Sequence, residues 1–154
     1  MKQILLVVSF LYIIPCGFSE DYQIKPSLAF VKIKGKNYLH PLITEIENLI
    51  WKNLESVKKY EMLKKKETDE INYQFNFKNF ADCQTLECLI NLGKFIGSDF
   101  LLTGRIEENL YTYNFALLLI NNKKEAVEVA VNEEFKKGKE DLNLFIKKIM
   151  EKLF

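Results

Sequence analysis

The sequence predicts a single α/β domain in the order β-α-β-α-β-β-β-α, with a mixed sheet ending in a C-terminal antiparallel meander. Three observations predict it. Apolar residues change period along the chain, from alternation to spacings of three and four and back again. Gly97 stands between a helical period and the apolar run Phe100-Leu101-Leu102, where a left-handed residue closes a helix. Two short polar links then join three strand-like runs, and links that short permit only hairpins.

The chain opens with an export signal, read over residues 1–19, and the domain is read over 20–154. Lys2 supplies the positive start, residues 4–14 (ILLVVSFLYII) the apolar stretch, and Gly17-Phe18-Ser19 small residues at −3 and −1 of a cleavage before Glu20. A membrane span needs roughly 20 apolar residues, and Pro15 interrupts this run too early. Cys16, preceded by Ile13-Ile14-Pro15, is the one candidate for lipidation, although proline directly before it suits the lipoprotein peptidase poorly. The membrane becomes a partner only through an acyl chain at Cys16; otherwise the expected mature protein is freely soluble, and the expected location is periplasmic or outer-membrane-associated.

The first strand is read over residues 28–34 (LAFVKIK), where Leu28, Phe30 and Lys32 alternate with Ala29, Val31 and Ile33 until Gly35. Pro41 opens a helix in its first turn, where a missing N–H costs nothing. Leu42, Ile46, Leu49, Ile50, Leu54 and Val57 form one apolar stripe of that helix, to about Ser56. Trp51 lies beside the stripe and is read as core or core rim. Residues 60–63 (YEML) make a short second strand. After the charged stretch from Lys64, the aromatics Tyr73, Phe75, Phe77 and Phe80 fit either a half-buried strand face or an exposed edge that a partner covers. These four are the interface candidates.

The second helix is expected from about Thr85, with Leu86, Leu89, Ile90, Gly93 and Ile96 on one face. Residues 100–106 then read as a central strand covered on both sides, with Gly104 marking a bulge or a close backbone approach. A turn near Glu107-Glu108-Asn109 leads to a strand over 111–120, with Tyr111, Tyr113, Phe115, Leu117 and Leu119 on one face. Asn121-Asn122-Lys123-Lys124 turns the chain into a strand over 125–135, where Val127, Val129 and Val131 alternate with polar positions. A helix from about Lys139 buries Leu142, Phe145, Ile146, Ile149 and Leu153.

Composition narrows the function. Of 22 Lys and Arg against 21 Asp and Glu, only Lys2 lies in the leader, so the mature chain is formally neutral. Lys64-Lys65-Lys66 is answered by Glu67, Asp69 and Glu70, and a nucleic-acid site needs a concentrated positive face. No nucleic-acid partner is expected. The inventory for catalysis is short: His40 is the only histidine and precedes Pro41 as a surface residue, and there is no nucleophile elbow, phosphate loop or metal motif. Glu107-Glu108 and Glu133-Glu134 are read as solvated turn and strand ends. The reading is therefore no enzyme, no cofactor and no metal. Cys83 and Cys88 remain after cleavage. An even pair in an exported chain suggests a disulfide, which is feasible if Cys83 precedes the second helix and Cys88 sits in its first turn. Two free thiols are the alternative; a redox or metal role lacks both a C-x-x-C spacing and a nearby histidine.

The run Glu87-Cys88-Leu89-Ile90-Asn91-Leu92-Gly93-Lys94-Phe95-Ile96-Gly97-Ser98-Asp99-Phe100-Leu101-Leu102-Thr103-Gly104-Arg105-Ile106, with its polar turn and the later strand from Tyr113 through Leu117 to Ile120, resembles the bacterial envelope family of the TolB N-terminal domain, CsgG, FlgO and LpoB. Its signature is a helix ending in Gly-x-Asp, a strand carrying Thr-Gly, and a long hairpin; a cysteine before the helix and one within it are similar to a common variant. The match covers about 50 residues. Relatives often carry glycine in the first hairpin turn and Asp followed by Thr-Gly in the second, whereas this chain has Glu-Asn and Asn121-Asn122-Lys123-Lys124. No β-propeller follows, as in a full TolB, and about 135 mature residues leave little room for the membrane hairpins of a curli pore. The resemblance implies an adaptor or scaffold in envelope assembly whose partner is another envelope protein. It also implies two alternatives: an LpoB-like regulator of a peptidoglycan synthase, and a ring-forming subunit of a secretion or flagellar-associated assembly, hence a homo-oligomer.

Overall fold

A computed structural model describes residues 24–64, 66–68, 70, 83, 85–138 and 141–154. Strand β1 (Ser27–Lys34) leads through a 3-10 turn, Asn37–Leu39, into helix α1 (His40–Leu54), with Pro41 in its first turn. Strand β2 (Glu61–Met62) is followed by α2 (Leu86–Ile96), β3 (Phe100–Glu108), β4 (Thr112–Asn121), β5 (Ala126–Lys136) and α3 (Leu142–Leu153). The sheet order is β2-β1-β3-β4-β5, with β1 parallel to β2 and β3, and β3, β4 and β5 successively antiparallel. The mixed sheet and its meander agree with the expected architecture. The expected start of the last helix, Lys139, and the aromatics 73–80 lie outside the described residues, as does all of 1–23.

Each face of the sheet carries a layer of helices. Helices α1 and α3 cover one face, packing Ile46, Ile50, Leu54, Ile146, Ile149 and Leu153 onto Leu28, Phe30, Leu102, Phe115, Leu117 and Leu119. Trp51 meets Phe30 edge to face at 5.4 Å between ring centroids, at the rim of this core. Helix α2 covers the other face, with Leu89, Ile90, Leu92 and Ile96 against Ala29, Leu101 and Ile120. Among the described residues, ten of the twelve largest fully buried side chains lie in the first layer, and Leu101 and Ile120 in the second. At about 1.5–3 kcal/mol for each buried large apolar side chain, the α1/α3 layer carries the larger share of the apolar burial among the described residues. Leu86, expected on the buried face of α2, is 40 % exposed, because it occupies the first helical position after the Thr85 cap.

Two bulges change which side chains face the core. Between Phe30 and Ile33 the register of β1 against β3 slips, since Phe30 pairs with Leu102 and Ile33 with Gly104. One extra residue turns Ile33 to the α1/α3 side with Phe30, against the strict alternation expected. In β5 the register slips where Leu119 pairs with Val129 and Ile120 with Val127. Val129 and Val131 therefore join the α1/α3 core, while Val127 moves to the opposite face and is 39 % exposed. Tyr111, expected on the core face of β4, precedes the strand in the hairpin turn and is 77 % exposed. Gly104 is a close approach: an added Cβ would stand 2.6 Å from the Ala116 carbonyl oxygen of the neighbouring strand.

Candidate protein interface

The Gly-x-Asp signature has a structural task at the pole where β1 and β3 begin. Gly97, at φ 77°, closes α2 in the left-handed region. Asp99 then accepts from the Ser27 backbone N–H at 2.8 Å and from its hydroxyl at 3.0 Å, while the Asp99 N–H donates to Ser27 Oγ at 2.9 Å. This reciprocal clamp fixes the start of β1 beside β3. A Lys123 hydrogen bond first, then the Ser27 N–H, hold the Asp99 carboxyl below its ordinary pKa. Asn121 Oδ1 accepts from the backbone N–H groups of Lys123 and Lys124, so the Asn-Asn-Lys-Lys turn that departs from the family pattern closes as an Asx turn. Asn122, 2 % exposed, lies over Gly93 and donates to the Ser98 carbonyl at 2.8 Å. These residues build the fold rather than a reactive site.

The cysteines are joined as a disulfide, with their Cα atoms 5.5 Å apart. Cys83 precedes α2 and is buried; Cys88 lies in the first turn, where its N–H donates to the capping Thr85 hydroxyl at 3.2 Å. Lys34 Nζ donates to the Cys83 carbonyl and ties the bridge to the end of β1. The carboxylate pairs are occupied in the same ordinary way. Glu107 pairs with Arg105 and Glu108 with Lys137, Glu133 pairs with Lys152, and Glu134 accepts from Thr112. Exposed His40 approaches Thr44 at the start of α1. Among the described residues no group of three or more His, Cys, Asp or Glu is placed to hold a metal, and no helix is long and apolar enough to cross a membrane.

Two surfaces remain as places for a partner among the described residues. One is the outer edge of β5. The strand is eleven residues long, pairs with β4 on one side and ends the sheet on the other. Its bulge at Glu128, with Glu133, Glu134 and Lys136, discourages indiscriminate pairing. The other surface lies at the pole where β1 and β3 end. Leu110 and Tyr111 project from the β3–β4 turn, each 77 % exposed, and Tyr38 of the β1–α1 link is 60 % exposed. They stand on a stacked base: Phe115 meets Phe145, Phe145 meets Phe135, and Phe135 meets Tyr113 at 5.0 Å between centroids. Lys137 Nζ sits 5.1 Å from the Tyr113 centroid and 2.5 Å from Glu108. Glu108 is held below its ordinary pKa by Lys137 and then by Tyr38, whose hydroxyl is raised in turn by the Glu108 hydrogen bond. This cluster was missed in sequence because Tyr111 fits the β4 alternation; the available signal was Leu110-Tyr111 following a polar turn with no core left to face.

Comparison with known proteins places the fold. No family model and no curated protein matches the chain. Solved structures do. Lipoprotein GNA1162 from Neisseria meningitidis superposes with a TM-score of 0.56 at 13 % identity, over 83 % of this chain and 96 % of that one. The LpoB C-terminal domain from Salmonella enterica gives 0.53 at 10 % identity, over 77 % and 87 %. TolB from Acinetobacter baumannii gives 0.51 at 11 % identity, over 84 % of this chain but 27 % of that one. The PelC dodecamer from Paraburkholderia phytofirmans gives 0.50 at 11 % identity, over 81 % and 82 %. The TolB- and LpoB-like resemblance drawn from the helix–strand–hairpin run is thus shared at the level of fold.

Proposed function

We propose that this chain is a non-enzymatic interaction module of a bacterial cell envelope, exported by its leader, that takes an extended segment of another envelope protein onto the edge of β5. The observation that carries the reading is that edge. Eleven residues at the end of a sheet braced by α3 offer backbone groups to an added strand. Its acidic side chains give the edge a preference for basic partner strands rather than for copies of itself. The shared fold with the LpoB C-terminal domain and a lipoprotein supports an envelope role. Affinity capture from intact envelopes after chemical crosslinking tests it. One dominant protein is expected, retained by wild type and weakened by Glu128→Lys with Glu134→Lys. No dominant partner from an exported, folded chain would sink the proposal.

Two narrower readings follow from particular neighbours. Regulation of a peptidoglycan synthase is favoured by the LpoB likeness, and predicts that the captured protein is that synthase and that its rate changes on binding. A ring is favoured by the likeness to a protein solved as a dodecamer, and predicts a stable oligomer in solution.

A further inference from the structure

We propose that the pole carrying Leu110, Tyr111 and Tyr38 docks on an anionic lipid surface, a contact separate from the β5 edge. Three of the large apolar side chains left exposed in the described residues gather at this one end of the sheet. Leu110 and Tyr111 form the tip of a hairpin, between Glu108 and Thr112, and among the described residues no element covers them. A convex apolar tip suits a soft bilayer interface, where leucine enters the acyl boundary and tyrosine stays at headgroup depth.

The charges around the tip fit that surface. Lys36 Nζ lies 5.8 Å from the Tyr38 centroid, and Lys137 Nζ lies over Tyr113, so two ammonium groups are kept beside the aromatic rings. Lys136 ends β5 at the same pole. Glu108 is engaged by Lys137 and Tyr38 and Glu107 is paired with Arg105, which reduces their repulsion of anionic headgroups, and Glu134 is engaged by the Thr112 hydroxyl beside the tip. Lysines near a negatively charged leaflet and a small apolar insertion reinforce one another, and neither suffices alone. Beneath the tip, Tyr113 stacks on Phe135 and Phe135 on Phe145, which gives the hairpin a packed base.

Co-sedimentation with vesicles tests the proposal on the chain from Glu20 to Phe154, which lacks Cys16, so that no acyl chain contributes. Vesicles of phosphatidylethanolamine with about 30 % phosphatidylglycerol should retain the protein at least about fivefold better than phosphatidylcholine vesicles, and added salt should release it. Leu110→Ser with Tyr111→Ser should reduce retention by about tenfold, with an unchanged melting temperature because both side chains are exposed. Lys36→Glu should reduce it by a smaller factor. Tyr111→Trp adds a reporter whose emission should shift to the blue on phosphatidylglycerol vesicles, and it settles the matter should the double variant fail to fold. Equal retention of wild type and a folded double variant, equal binding to both vesicle types, or no blue shift overturns the proposal. Partner capture through β5 is expected to survive the tip substitutions, so failure of one contact leaves the other standing or falling by itself.

Discussion

At the scale of single residues, the signature that resembles a family motif acts through hydrogen bonds. Asp99 receives two bonds from Ser27 and returns one, at the point where two parallel strands start. Lys123 is 80 % exposed, so its ion pair with Asp99 adds little, and the Ser27 bonds dominate the clamp. Asp99→Asn should cost about 1–2 kcal/mol in denaturant unfolding at neutral pH, as expected for hydrogen bonds to a charged group. The sign of the pH dependence follows from the depressed pKa. The folded carboxyl holds its proton less tightly than the unfolded one, so its contribution is present above the ordinary carboxyl range and fades as pH falls through the folded value, below about pH 4. Wild type should therefore lose stability over that acid window more steeply than Asp99→Asn; parallel curves for the two would count against the clamp. Gly93 makes a second point at this scale. A Cβ there would collide with the Asn122 amide, which is buried between α2 and the β4–β5 turn. Gly93→Ala should destabilise by about 1–3 kcal/mol through overpacking, despite alanine's better helix propensity. A neutral or stabilising result would show that the Asn122 side chain can swing aside.

At the scale of elements, much of the fold was legible because each period had one structural meaning. Pro41, Gly97 and the second hairpin turn punctuated the chain where they were expected to, while the first turn lies at 109–111, because Glu107 and Glu108, expected in it, extend β3 and pair with β4. What could not be read were the bulges. A one-residue slip leaves no trace in the pattern of apolar and polar residues, yet it carries Ile33 across β1 and Val127 across β5. The interface was less legible still: Tyr111 obeys the strand alternation and then falls just outside the strand. The disulfide was readable from an even pair of cysteines in a chain read as exported, and the condition on it is met, with Cys83 before the helix, Cys88 in its first turn and the Cα atoms within bridging range. Because α2 covers the thinner of the two layers, the bridge matters chiefly to that helix. Intact mass before and after alkylation should show no free thiols at Cys83 and Cys88 without reductant. Reduction should cost about 2 kcal/mol or less for so short a loop, with amide-exchange protection falling first in α2. Two thiols alkylated without reductant would rule the bridge out.

At the scale of the whole molecule, the two ends of the sheet have different duties. The chain enters β1 at the Asp99 pole, and α3 finishes at that same pole, where Phe154 packs on Tyr60. The Leu110–Tyr111 tip lies at the far end of strands nine and ten residues long, about 30 Å away at the usual rise. The first described residue, Ile24, therefore enters at the pole opposite the tip, and the β5 edge runs between the two poles. The aromatic segment bearing Tyr73, Phe75, Phe77 and Phe80 joins β2 to α2, and its place in this scheme is open to a direct test. Of twelve Phe and seven Tyr, ten Phe and six Tyr fall in residues 20–154, many for a domain of this size. The α1/α3 core and its rim already take Phe30, Phe100, Phe115, Phe135, Phe145, Phe154, Tyr60 and Tyr113. For the four aromatics of that segment we propose a partner contact, where a truncated hot-spot residue costs about 2 kcal/mol or more. Phe75→Ser with Phe77→Ser should weaken crosslinked partner capture more than it lowers the melting temperature. Unfolding of the double variant would assign these rings to the core and leave the β5 edge as the contact; a folded variant that captures its partner as well as wild type would exclude them from both.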